Sequence, residues 1–156
     1  MNFPIISSLI LLPTIGALFI LLSRSNSESK YQSYKYVAIF ASITNFFISI
    51  YLWFIFDPNI TNFQFVENRL WLHDFINYKV GVDGISILFI LLTTFITPLC
   101  IISVNKTIKF KLKEFLIAIL VMESLMIGVF CSLDLVIFYL FFEGGLIPMF
   151  FIIGIW

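Results

Sequence analysis

Apolar residues fall in five long runs, and polar residues collect in the gaps between them. The runs are Phe3–Leu22, Tyr36–Phe56, Gly84–Val104, Glu114–Ser132 and Leu135–Trp156. Each is close to the ~20 residues a helix needs to cross a hydrocarbon core of roughly 30 Å. The pattern predicts an all-α membrane protein with about five transmembrane helices, forming a single unit over residues 1–156. No internal repeat is evident. The first run is expected to stay as a span rather than be cleaved as a signal peptide. No basic residue stands in Met1-Asn2-Phe3-Pro4, and no A-x-A site follows the run.

Composition narrows the class further. The chain is 61% hydrophobic and 12% charged, against about 45–50% and about 25% for soluble domains. Nine basic and nine acidic residues balance to zero. Neither a disordered chain, a nucleic-acid binder nor an ordinary soluble enzyme domain has this make-up.

The gaps set an orientation. Arg24, Lys30 and Lys35 lie in the first gap, and Lys106, Lys109, Lys111 and Lys113 in the third. The second gap, Asp57–Asp83, holds only Arg69 and Lys79 as basic residues. Basic loops stay on the cytoplasmic or matrix side, so the N-terminus and Asp57–Asp83 are expected outside. The last gap, Leu133-Asp134, reads as a tight helical hairpin. Asp83 and Asp134 each precede a run and are expected to cap it. Trp71 and Tyr78 fit interfacial anchors.

Little else outside the membrane suggests chemistry. Cys100 and Cys131 fall near opposite membrane faces in this topology, too far apart for a disulfide, whose Cα atoms lie within about 7 Å. Two separated cysteines and one distant histidine make no metal site. His73, beside Asp74, has the titration range of a proton relay, but an interfacial histidine needs no such role. Pro13 and Pro98 read as packing features, with Thr93, Thr94 and Thr97 bonding back to their own helix.

Glu123 and Glu143 carry the functional signal. A charge at the bilayer centre costs at least about 2.5–3.5 kcal/mol on insertion scales, and such residues mark ion or proton paths. Counted from Asp134 at 1.5 Å per residue, Glu123 lies roughly 16 Å and Glu143 roughly 14 Å from the turn. Both therefore fall near the midplane, on helices joined by a short turn. Whether they touch depends on helix rotation. Gly144 and Gly145 follow Glu143 and let a neighbouring helix approach. Pro148 removes the amide that would bond the Gly144 carbonyl. This cluster predicts a hydrated helix break beside Glu143. The plain alternative is that each glutamate is protonated and only bridges helices.

Two stretches also carry a family resemblance. Tyr78–Pro98, YKVGVDGISILFILLTTFITP, and Gly128–Trp156, GVFCSLDLVIFYLFFEGGLIPMFFIIGIW, resemble the third to fifth helices of subunit M of proton-pumping NADH:quinone oxidoreductase. Its mitochondrial counterpart is subunit 4 of respiratory complex I. FFEGGLIPM is the most specific part. The resemblance implies an antiporter-like helix bundle in which Glu143 is the proton-channel carboxyl of the fifth helix. Glu123 matches no equally firm position and remains a secondary candidate. By the same resemblance, NADH, flavin, iron–sulfur clusters and quinone sit on other subunits, with no cofactor in this chain. The implied partners are other membrane-arm subunits and the lipid bilayer, without nucleic acid. The implied location is a bacterial inner membrane or, alternatively, a mitochondrial one. Family members are much longer, and their channel pairs the glutamate with lysines on later helices. Every lysine here lies in a gap, so the sequence reads as an N-terminal part. A truncated, non-conducting remnant and a small independent ion transporter are the competing readings.

Overall fold

A computed structural model describes residues 4–23, 28–72, 76–104, 108 and 110–156. Among them are five helices long and apolar enough to cross a membrane. These are α1 (Ile5–Leu22), α2 (Glu28–Ile55), α3 (Gly84–Ser103), α4 (Leu112–Cys131) and α5 (Leu135–Ile155). Two helices begin earlier than their apolar runs. α2 starts at Glu28 rather than Tyr36, because a polar segment can continue a helix beyond the apolar layer. α4 starts at Leu112, two residues before Glu114.

The second gap is not all loop. Strands β1 (Gln64–Leu72) and β2 (Ile76–Val82) form an antiparallel hairpin, so the all-α expectation needs this small addition. The signal is period two in β2. Ile76, Tyr78, Val80 and Val82 alternate with Asn77, Lys79 and Gly81, as a half-buried strand requires. Val80 and Val82 are fully buried. Between Gln64 and Glu67 the register shifts, and Phe65 takes φ 54° there. Such a bulge re-aims neighbouring side chains. The Glu67 carboxylate reaches the start of α1, where it accepts from Ile6 N–H at 2.9 Å and Ser7 N–H at 3.3 Å. It also accepts from the Ser7 hydroxyl. The first amides of a helix lack intrahelical partners, so β1 supplies the cap that Pro4 does not.

Hydrogen bonds fix an alternating topology. Leu133 N–H donates to the Lys79 carbonyl at 3.0 Å, joining the α4–α5 turn to β2. That turn, the hairpin and the start of α1 therefore share one end of the bundle. At the other end, Lys113 Nζ donates to the carbonyls of Leu21 (3.1 Å) and Ser23 (2.7 Å). Trp156 Nε1–H reaches the Phe110 carbonyl there at 2.7 Å.

The capping expectations hold. Asp83 accepts from Ser86 N–H at 2.7 Å, and Asp134 from Val136 N–H at 2.8 Å. The Ser86 hydrogen bonds hold the Asp83 carboxyl below its ordinary value of 3.8. Cys131 is buried, Cys100 exposed, and both are free thiols.

The core of α1–α4 has three strata. One apolar cluster, near the hairpin, includes Ile6, Leu9, Leu52, Val80, Ile90 and Ile127. The other, toward the opposite end, includes Ala17, Ile20, Ala38, Ile101, Leu116 and Leu120. At intermediate chain positions lie the buried polar residues Ser42, Asn45, Ser49, Thr94, Thr97, Glu123 and Ser124. Among the helices, close approach is concentrated at two glycines. A Cβ on Gly16 would meet Ala41 Cβ of α2 at 2.8 Å, and one on Gly128 would meet the Phe141 ring of α5 at 2.6 Å.

Candidate functional site

The two intramembrane carboxyls sit on neighbouring helices and face different surroundings. Glu123 is 2% exposed and turned into the bundle. Asn45 of α2 donates to it, Nδ2 to Oε1, at 2.9 Å. The neighbouring Ser124 hydroxyl donates to the Ile10 carbonyl of α1 at 2.5 Å. One helical turn along α2 from Asn45, the Ser49 and Thr94 hydroxyls lie 2.7 Å apart. Glu123 Oε2 and Asn45 Oδ1 are buried without hydrogen-bond partners among the described residues. A cavity of about 460 Å³ runs along α3 and α4 to Glu123, lined among others by Thr97, Cys100, Met122 and Ile152.

Glu143 lies on the exposed face of α5. Its hydrogen-bond donor is the Tyr139 hydroxyl, four residues earlier on the same helix face. Glu123 and Glu143 are thus equal in estimated depth but share no hydrogen bond. α5 is apolar nearly all round and packs chiefly on α4, with Ile137 and Pro148 its buried residues. Gly144 touches Leu125 of α4, where a Cβ would meet a methyl carbon at 3.4 Å. Gly145 has open space beside it.

The expected helix break beside Glu143 is corrected. α5 runs as one helix through Gly144, Gly145 and Pro148. Pro148 withholds a single amide from the Gly144 carbonyl, and the bonds on either side carry the helix across.

The remaining sequence-level candidates divide. Thr94 and Thr97 bond back to the Ile90 and Thr93 carbonyls, both at 3.0 Å, as expected. Tyr78 is more than an anchor. Its hydroxyl stands 3.3 Å from Ser7 Oγ, inside the Glu67 cluster. Burial raises its pKa above the ordinary 10.0, against the opposing bond to Ser7. His73 and Asp74 lie outside the described residues, as do Arg24, Lys106 and Lys109, and the side chains of Lys30 and Trp71. Sequence reasoning missed Asn45 and Tyr139 as carboxyl partners. The four-residue spacing of Tyr139 and Glu143 was an available signal. Nothing in the sequence pairs Asn45 with Glu123, 78 residues away.

Five spans, a buried polar stratum and two mid-depth carboxyls define the class: a multi-pass helical membrane protein with acidic groups inside the bilayer. No family model matches the sequence. Individual proteins do. The chain is 46% identical over 152 residues to "NADH-ubiquinone oxidoreductase chain 4" of Marchantia polymorpha, covering 97% of this chain and 30% of that protein. It is 51% identical over 141 residues to "NADH-quinone oxidoreductase subunit M" of Rhodobacter capsulatus, covering 90% and 27%. With the subunit M of Rickettsia conorii it shares 46% identity over 159 residues, covering 100% and 32%. The chain is therefore a homologue of the N-terminal part of subunit M, or chain 4, of NADH:quinone oxidoreductase. It spans about a third of the length of these relatives.

Proposed function

We propose that the chain is a membrane-arm segment of a proton-pumping NADH:quinone oxidoreductase, with Glu143 as the proton-carrying carboxyl of α5 and Glu123 as a secondary one. Identity of 45–51% to subunits M and chains 4 over nine-tenths or more of the chain is the observation that carries this reading. It works as a multi-pass protein of the inner membrane of a bacterium or mitochondrion. Its partners are the other subunits of the complex, which hold the redox cofactors.

The exposed face of α5 supports the same reading. A carboxyl directed at lipid is costly, and such groups face a bundle interior or hydrated cavity. Glu143 with its Tyr139 donor is therefore enclosed by membrane helices other than these five. Gly145, about 200° round the helix from Glu143, leaves α5 open space on another face. Within such an enclosure Tyr139 orients the carboxyl, and the free Gly144 carbonyl offers an acceptor one residue away.

The test is NADH-driven acidification of membrane vesicles bearing the assembled complex, followed with a pH-sensitive dye. Glu143→Gln is expected to remove most proton translocation, and Glu143→Asp to keep part of it, since only a titratable group passes a proton on. Glu123→Gln is expected to cost less. Normal pumping by an assembled Glu143→Gln complex would reduce Glu143 to a structural role.

A further inference from the structure

Between the two apolar clusters of α1–α4, the polar stratum does more than the FFEGGLIPM motif requires. We propose that Glu123, held by Asn45, is a proton-binding site in its own right, joined to the Ser49–Thr94 hydroxyl pair and separate from Glu143. The proposal rests on the proton-translocating reading for its biological use, but not for its test.

Three observations carry it. First, Glu123 and Asn45 are 2% and 0% exposed, and one oxygen of each is buried without a partner among the described residues. A buried acceptor with no donor is expensive. A proton on Glu123 Oε2 turns that oxygen into a donor, and Asn45 Oδ1 is an unused acceptor on the residue already bonded to the same carboxyl. The pair is thus complementary to one added proton.

Second, the site has a continuation. Asn45 and Ser49 lie one turn apart on the same face of α2, roughly 6 Å along its axis. Ser49 Oγ meets Thr94 Oγ1 at 2.7 Å. Each hydroxyl has one proton and also reaches a backbone carbonyl, Ser49 that of Phe46 at 2.7 Å and Thr94 that of Ile90 at 3.0 Å, so rotating one hydroxyl off its carbonyl makes it the donor. Hydroxyls that donate and accept can relay a proton, and one bridging water spans a step of this size.

Third, neighbouring elements bring no ionic partner. Facing the stratum, α1 offers the Ile10 carbonyl, already bonded to Ser124, and α2 offers Asn45 and Ser49. α3 brings Thr94, Thr97 and the thiol of Cys100, and α5 brings Ile152. Among these described groups no cation fixes Glu123 as a permanent carboxylate, so it is free to gain and lose a proton.

The cavity of about 460 Å³ gives an apolar reagent access. Dicyclohexylcarbodiimide reacts with a protonated carboxyl. The acid proton moves to a carbodiimide nitrogen while the carboxylate oxygen bonds to the central carbon, forming an O-acylisourea. Migration of the acyl group to nitrogen then leaves a stable N-acylurea. The experiment labels the full chain in phosphatidylcholine vesicles and locates the adduct by mass spectrometry. In parallel, pH-difference infrared spectra record the carbonyl band of a protonated acid.

The expected result is an adduct on Glu123 and an acid band that vanishes in Glu123→Gln. That band should persist in Glu143→Gln and move to higher frequency in Asn45→Leu, where the hydrogen bond to Oε1 is lost. Asn45→Ser, less disruptive to packing, should shift it in the same direction. An adduct confined to Glu143 would overturn the proposal. So would a Glu123 that shows no acid band between mildly acid and mildly alkaline pH, or a band indifferent to both Asn45 variants. Neither readout involves NADH oxidation or pumping, so failure here and failure of the complex assignment are separate outcomes.

Discussion

Glu123 and Glu143 are chemically identical, equally deep by helix rise and carried by adjacent helices, yet their surroundings are opposite. Four helices close around Glu123, which takes its hydrogen bond from another helix. Glu143 takes its hydrogen bond from its own helix and faces outward. Depth in a membrane therefore says little about enclosure. The rotation of each helix decides that, and rotation follows from which face finds a close-packing neighbour. α4 is fixed by contacts with α1, α2, α3 and α5, whereas α5 has α4 as its main neighbour.

The contrast can be broken most strongly where α4 and α5 touch. Gly128→Leu puts side-chain atoms where the Phe141 ring already stands. Overpacking of this kind costs about 1–3 kcal/mol or more. Gly145→Ala meets nothing within 4 Å, and is expected to be neutral or to stabilise by up to ~1 kcal/mol through helix propensity. Unfolding in mixed micelles, monitored by circular dichroism, measures both. Equal losses would show that Gly128 is not a tight contact.

Removing the two donors sharpens the comparison. Asn45→Leu leaves the Glu123 carboxyl buried without its bond, a loss of about 1–3 kcal/mol. Adding Glu123→Leu to Asn45→Leu should recover much of it, because an apolar pair leaves nothing unsatisfied. Tyr139→Phe removes the Glu143 donor on an exposed face and is expected within about 0.5 kcal/mol of the parent. A double-mutant cycle at each pair reports the coupling directly.

A smaller effect is expected at the cap of α3. Asp83→Ala should cost about 1 kcal/mol at neutral pH. Hydrogen bonds from Ser86 lower the folded pKa of Asp83 below 3.8. The stabilisation is therefore full above the unfolded value and fades as pH falls through the folded one. The difference between Asp83→Ala and its parent should close in strongly acid micelles and stay constant from neutral to alkaline pH. A gap that persisted in acid would assign the effect to packing.

The positions of the spans could be read from the chain because apolar length alone marks a membrane helix. The caps at Asp83 and Asp134 were also legible, each a single acceptor placed before an apolar run. Helix rotation was not. α5 is apolar on nearly every side and has no stripe to say which face turns inward. The sequence therefore favoured Glu143, with its glycines and proline, as the interior carboxyl, while these helices enclose Glu123. The hairpin was hidden for another reason. The alternation in β2 spans only seven residues of a gap otherwise marked by charge, and its buried face, Val80 and Val82, packs on the ends of the helices.

The Glu67 clamp on α1 also has a consequence in time. Ile6 and Ser7 precede their acceptor by 61 and 60 residues. At the ~5–20 residues per second of synthesis, the first residues of α1 exist for roughly 3–12 s before Glu67 has been made. During that interval its first amides depend on interfacial water, and the helix end is free to shift in depth. Formation of the hairpin then sets that depth from outside the membrane, so the first span is fixed in register only after α2 has followed it, and before α3, α4 and α5 are made.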